Sequence, residues 1–310
     1  MLGFIKTRRG NYDFLSSFAW YVPGVSGIFI ILGWILVGTI IGSAVSLLLP
    51  YIGGQELWKD YIFLISYPLT FIPALIAAKY ISNKNMLFEN GYALDSGNFG
   101  EQGGWKLAIL LTIATLGCTF IIDLLTSFLP PMPKYLEDAL KTLLQGKLWV
   151  NFICVSIFAP LFEEIVCRGF VLRGLLNFKR KDGSSMRPFT AILISAIFFA
   201  VIHLNPWQAI PAFLIGALMG FVYYRTGSLK LTILIHFVNN TASLVIANID
   251  SFKDADSWLD ILPVTTFAVL CVISAIYIAY VCFFVINKIR PIRPEGSCDI
   301  IETEGMIQQD

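Results

Sequence analysis

The chain has 310 residues, 56% of them hydrophobic and only 14% charged, with a mean hydropathy of +0.73. Soluble domains carry about 25% charged residues, so a pair of ordinary soluble domains is excluded and the composition reads as an all-α polytopic membrane protein. With 22 basic and 21 acidic residues the net charge is +1, which offers no bulk basic field to a nucleic-acid partner.

A membrane helix needs about 20 mostly apolar residues, and cutting the chain at its polar and Pro/Gly-rich breaks predicts eight of them. They run from Val25 to Leu49, Tyr61 to Ile81, Trp105 to Leu129, Trp149 to Leu176, Phe189 to Leu204, Trp207 to Tyr224, Leu229 to Ile246 and Ile261 to Asn287. The fifth is short and ends at Asn205-Pro206. The first is too long for a signal-peptide core and lacks a small-residue cleavage site, so it is read as retained. Between the third and fourth runs, Leu136, Leu140, Leu143 and Leu144 share one helical face. That pattern fits an amphipathic helix in the interface or a capping segment on the bundle. The chain accordingly divides into residues 1–147 (three membrane helices and the amphipathic segment), 148–246 (a core of four helices) and 247–310 (the eighth helix and a polar tail). The tail does not end in a CaaX box, and no internal repeat of the kind used by transporters is evident.

Orientation follows from the Lys/Arg content of the loops. With eight spans and both termini on one side, that side collects sixteen Lys and Arg residues. The other holds five, Lys59, Lys134, Lys141, Lys147 and Lys253, with Arg168 inside a span. The richer side is therefore expected to be cytoplasmic, in a plasma membrane.

Charged groups cost about 2.5–3.5 kcal/mol or more at the bilayer centre, so those within spans are the first place to look for function. The fourth span contains Glu163, Glu164 and Arg168. Glu164 and Arg168 are i,i+4 neighbours on one helical face and can pair. Glu163 is turned about 100° away, and a desolvated carboxylate without a close cation suits proton transfer. A purely structural charge cluster is the alternative. Both histidines of the chain, His203 and His236, fall in later spans, where Phe199 with His203 and His236 with Asn240 also sit at i,i+4. The six cysteines are scattered singly without a CxxC pair, and five of them lie in apolar stretches as small buried side chains.

Glu163-Glu164-x-x-x-Arg168, Phe199-x-x-x-His203 and His236-x-x-x-Asn240, in that order on successive spans, resemble the three motifs of the CPBP family. That family comprises type II CaaX prenyl endopeptidases and the Abi, or bacteriocin-processing and immunity, proteins. The resemblance covers residues 149 to 246 and implies an eight-helix intramembrane protease. It implies that Glu163 and His203 activate water and that His236 and Asn240 stabilise the oxyanion. Glu164 and Arg168 would hold this architecture, and Phe199 would line it. The partners implied are a membrane-associated protein or peptide substrate and the lipid bilayer. Zn2+ is the open cofactor question: His203, His236 and Glu163 would make a two-His, one-carboxylate site, yet no HExxH motif is present. The metal-free arrangement gives every motif residue a role.

Two other functions use the same residues. One is a proton-coupled transporter or ion path through the Glu/His cluster, with Asp123 near its outer end, and the other is a non-catalytic immunity or adaptor protein. The topology is testable directly. In whole cells an impermeant maleimide should leave Cys298 unlabelled and should label Ser251→Cys, because the positive-inside rule puts them on opposite sides. Both would lie on one side only if the run between them did not cross.

Overall fold

The computed structural model describes residues 14–52, 54, 58–87, 91–143, 146–249, 255 and 257–291. Cys298 and Ser251 lie outside them. The fold is helical: α1 (Val25–Leu48), α2 (Ile62–Asn85), α3 (Gly103–Thr126), α4 (Lys134–Leu143), α5 (Leu148–Asn177), α6 (Pro188–Val201), α7 (Pro206–Thr226), α8 (Leu229–Ala247) and α9 (Val264–Lys288). Among the described residues the one β-type pairing is an isolated bridge between Lys179 and Ser185. Seven helices are long and apolar enough to cross a membrane, and α6 is a shorter apolar helix. The protein is thus an integral membrane protein, with the expected runs present in the expected order.

The short fifth run becomes a helix of 14 residues, about 21 Å at 1.5 Å per residue. It stops at Val201, before the expected Leu204, because Leu204 takes φ 53° and Asn205 already caps α7. The Asn205 side chain accepts from the Trp207 N–H at 3.0 Å, and Pro206 occupies the first helical position, where its missing N–H costs nothing. In α4, Leu136 and Leu140 are half-buried while Lys134, Asp138 and Lys141 are exposed. The side chains of Leu143 and Leu144 fall outside the described residues.

The core is built around α5. Val166, Cys167, Phe170, Val171 and Leu172 have no exposed surface, whereas α1 and α9 present Phe29, Ile40, Leu47, Val272 and Ile276 outward. In a lipid solvent an apolar exterior is the expected state, and helices satisfy their own backbone groups there. Cys118, Cys154, Cys167 and Cys271 are buried, and Cys282 is partly so. Two stretches of α5, Phe152–Phe158 and Ile165–Leu172, wind in wide π-type turns on either side of an α-helical Ala159–Glu164. Such turns interrupt the i→i−4 ladder. The carbonyls of Val155, Cys167 and Gly169 lie within them and accept from Asn240, Ser195 and Arg173.

Several loops at one end of the bundle are pinned by buried polar groups. Arg173 is 3% exposed and donates to five carbonyls, those of Gly169, Phe18, Ala19, Tyr21 and Tyr92. Asp95 caps α8 by accepting from the Ser228 hydroxyl at 3.1 Å and the Leu229 N–H at 2.9 Å. In the hairpin-like connection between α5 and α6, the Ser184 hydroxyl and N–H hold the Asp182 carboxyl below the usual carboxylate range. At the other end, Asp123 accepts from the Ser257 hydroxyl at 2.8 Å and the Trp258 N–H at 3.2 Å, a cap ahead of α9.

The approach of α1 to α2 depends on Gly38 and Gly42. A Cβ at Gly38 would stand 2.2 Å from the Thr70 carbonyl oxygen, and one at Gly42 2.7 Å from that of Ser66. This is the small-xxx-small packing that lets membrane helices meet backbone to backbone. Gly38→Val should force the pair apart and destabilise the protein by about 1–3 kcal/mol, lowering its thermal midpoint in detergent. Gly33, where an added Cβ would have nothing within 4 Å, should accept alanine without loss.

Candidate active site

Glu163 and Glu164 end the α-helical part of α5, and Arg168 follows one turn later within the wide turns. The extra width does not separate the expected pair. Arg168 Nη1 lies 2.7 Å from Glu164 Oε1, with both side chains fully buried. The guanidinium then reaches α7, donating from Nη2 to the Gly216 carbonyl at 2.9 Å, and stands 4.7 Å from the centre of the Phe199 ring on α6. Gly216 is what leaves room. A Cβ there would lie 3.0 Å from Phe199 Cδ1 and 3.4 Å from Arg168 Nη2.

His236 on α8 completes the pairing of Glu164, its Nδ1 standing 3.0 Å from the same Oε1. A carboxylate accepts, so the Nδ1 proton is directed at Glu164. His236 Nε2 then faces Glu163, 3.8 Å from its Oε2. Phe199 packs edge to face against both imidazoles, with centroids 5.4 Å from His236 and 5.0 Å from His203. His203 Nδ1 lies 2.7 Å from the Phe199 carbonyl oxygen. A carbonyl can only accept, so this nitrogen also carries its proton. Each histidine is therefore anchored through Nδ1, which fixes the orientation of its other nitrogen.

Glu163 has different surroundings. Its Oε1 accepts from the Tyr67 hydroxyl of α2 at 2.5 Å, while Oε2 is buried without a hydrogen-bond partner. Tyr67 belongs to an aromatic row along α2, with Phe63 and Phe71 at 5.4 and 5.7 Å. Phe71 stacks on Phe162 of α5 at 5.8 Å and 10°. Asn240 Nδ2 donates to the Val155 carbonyl at 2.9 Å, and its Oδ1 accepts from Asn239.

The structure thus links Glu164, Arg168, Phe199 and His236 by direct contacts and places Glu163 3.8 Å from His236. His203 joins this group through Phe199, and Asn240 lies one turn along α8 against the α5 backbone. Tyr67 and Gly216 were not among the residues expected from the sequence. A tyrosine carries no charge to mark it within an apolar span, and only the aromatic spacing Phe63-Tyr67-Phe71 hints at a packed face. Among the described residues no three His, Cys, Asp or Glu side chains are grouped to hold a metal ion. His203, His236 and Glu163 do not form such a group as arranged.

A cluster of buried carboxylates, imidazoles and a guanidinium enclosed by apolar helices defines a polar intramembrane site. Residues 145–242 match the family described as Type II CAAX prenyl endopeptidase Rce1-like. The match bears out over that segment the resemblance carried by the three motifs, and at family level it points to CaaX-type intramembrane proteases. No curated protein and no solved structure matches the chain.

The two glutamates should differ in their effect on stability. Glu164→Gln leaves Arg168 and His236 without their shared carboxylate, which should cost about 3–5 kcal/mol. In Glu163→Gln the amide oxygen can still accept from Tyr67, so the loss should stay within about 1 kcal/mol. Thermal aggregation of the two variants in detergent measures the contrast, and equal losses would contradict the division of roles.

Proposed function

We propose that the protein is an intramembrane endopeptidase that hydrolyses a peptide bond of a membrane-associated or lipidated protein or peptide. The observation that carries this reading is the buried Oε2 of Glu163, held without a partner 3.8 Å from His236 Nε2. A free carboxylate oxygen beside a ring nitrogen, away from bulk water, is what a water-activating base requires.

In this reading Glu163 Oε2 takes a proton from a water that His203 Nε2 helps to orient. The water oxygen bonds to the scissile carbonyl carbon, and the carbonyl oxygen gains the negative charge. His236, with Nδ1–H held by Glu164, offers Nε2–H to that oxygen when it carries both ring protons, and the second N–H of Asn240 is the other donor. Fixed donors aimed at developing charge in a water-poor site contribute strongly to the rate. Glu163 then gives its proton to the leaving nitrogen as the C–N bond breaks. Phe199 positions both imidazoles, and Glu164 with Arg168 anchors them. Residues 148–246 form the reaction core in this scheme, and both termini lie in the cytoplasm of a plasma-membrane protein.

The test is turnover of labelled membrane-anchored peptides by protein reconstituted in liposomes, with proton flux followed in the same vesicles. Glu163→Gln and His203→Ala should each reduce cleavage by about 10²–10⁴-fold while expression and insertion stay normal. Activity should survive exhaustive chelation. Proton flux without cleavage would favour an ion path, and activity lost on chelation and restored by zinc would move both histidines to ligand roles. Comparing the proteomes of cells carrying wild type and Glu163→Gln would then identify the substrate.

A further inference from the structure

The contacts of Arg168, Phe199, His203, His236 and Asn240 described above join α5, α6, α7 and α8 to one another. Glu163 instead takes its hydrogen bond from α2, which lies outside the segment matched by the family. We propose that Tyr67 is a positioning residue of the site: its hydroxyl holds Oε1 of Glu163 and so dedicates Oε2 to the attacking water.

Arg168 does not orient Glu163, because it is occupied by Glu164 and Gly216. A glutamate has three rotatable bonds, and its carboxylate can turn about the last of them. Without a donor on Oε1 the group would be free to rotate towards His236 and, when Nε2 carries the second ring proton, to close the 3.8 Å gap into a direct charge-assisted hydrogen bond of about 2.8 Å. That contact would consume the base. The Tyr67 hydroxyl at 2.5 Å pulls the opposite way and keeps Oε2 apart from Nε2.

Tyr67 is itself held firmly. Phe63 and Phe71 flank its ring, and the neighbouring Ser66 and Thr70 carbonyls abut Gly42 and Gly38 of α1. A serine or threonine hydroxyl on α2 would be several ångströms too short to cross to α5, whereas a phenol spans the distance at low conformational cost.

The role in turnover rests on the peptidase reading, whereas the hydrogen bond does not, so the experiment reads both. Tyr67→Phe keeps the ring and removes the donor. The Glu163 carboxylate band is isolated by infrared difference between wild type and Glu163→Gln. The same difference taken in the Tyr67→Phe background should show the band displaced. Cleavage should fall about 10–100-fold in kcat with KM within about twofold, as expected for a reacting group displaced by a fraction of an ångström. An unmoved band overturns the assignment whatever the activity, and so does a displaced band with unchanged kcat. If wild type cleaves nothing, the peptidase reading and the role in turnover fall together, and the band still decides the hydrogen bond. Should Tyr67→Phe fail to fold, 3,5-difluorotyrosine inserted at position 67 keeps and strengthens the donor, and the band must again move.

Discussion

A carboxylate placed in hydrocarbon has no water to fall back on, and the arrangement of α5 to α8 answers that need at Glu164. Its Oε1 meets both Arg168 Nη1 and His236 Nδ1. Removing one partner from such a group is far costlier than the net benefit of the intact set, so the helices that bear the partners are not free to drift. Arg168 carries the constraint onward to α7 through the Gly216 carbonyl and to α6 through the face of Phe199. Four helices are thereby indexed to a single oxygen atom.

Because Glu164 absorbs the available positive charge, the residue beside it is left with another character. Glu163 meets a phenol and an imidazole nitrogen beyond hydrogen-bonding distance. Two adjacent carboxylates held in contrasting surroundings form a recurrent device for separating structural from proton-transfer duties. The wide turns of α5 assist by exposing the Val155 and Cys167 carbonyls, which tie Asn240 of α8 and Ser195 of α6 to α5 without adding charge.

Much of this was legible in the residues alone. Apolar run length locates the membrane helices, since a helix of that length satisfies its own backbone groups in lipid. The i,i+4 rule finds Glu164 with Arg168 even though the intervening turn is wider than an α-helix. The parts that were not legible depend on how helices meet. No local signal distinguishes Tyr67 from a tyrosine at the interface, and nothing near Gly216 announces that a guanidinium needs its missing Cβ. The turn of His236 towards Glu164 likewise depends on the separation of α5 and α8. Gly38-x-x-x-Gly42 is different: its spacing is a readable sign of close helix approach, and the contact with Thr70 and Ser66 is where it is spent.

The carbonyl cage around Arg173 has a consequence in time. Three of its acceptors, Phe18, Ala19 and Tyr21, precede the arginine by 155, 154 and 152 residues. At a synthesis rate of about 5–20 residues per second, they are made roughly 8–30 s before their donor. Through that interval the Phe18 and Ala19 carbonyls have the Tyr21 and Tyr92 N–H groups as partners, while α1 and α2 can already pack on one another. Glu163 comes ten residues before Arg173 in the chain, so the same helix both closes the N-terminal segment and delivers the carboxylate to Tyr67. The polar centre is completed later still, because His203 and His236 follow Arg173 by 30 and 63 residues, and a ribosome halted at the end of α5 leaves Glu164 paired with Arg168 but without His236.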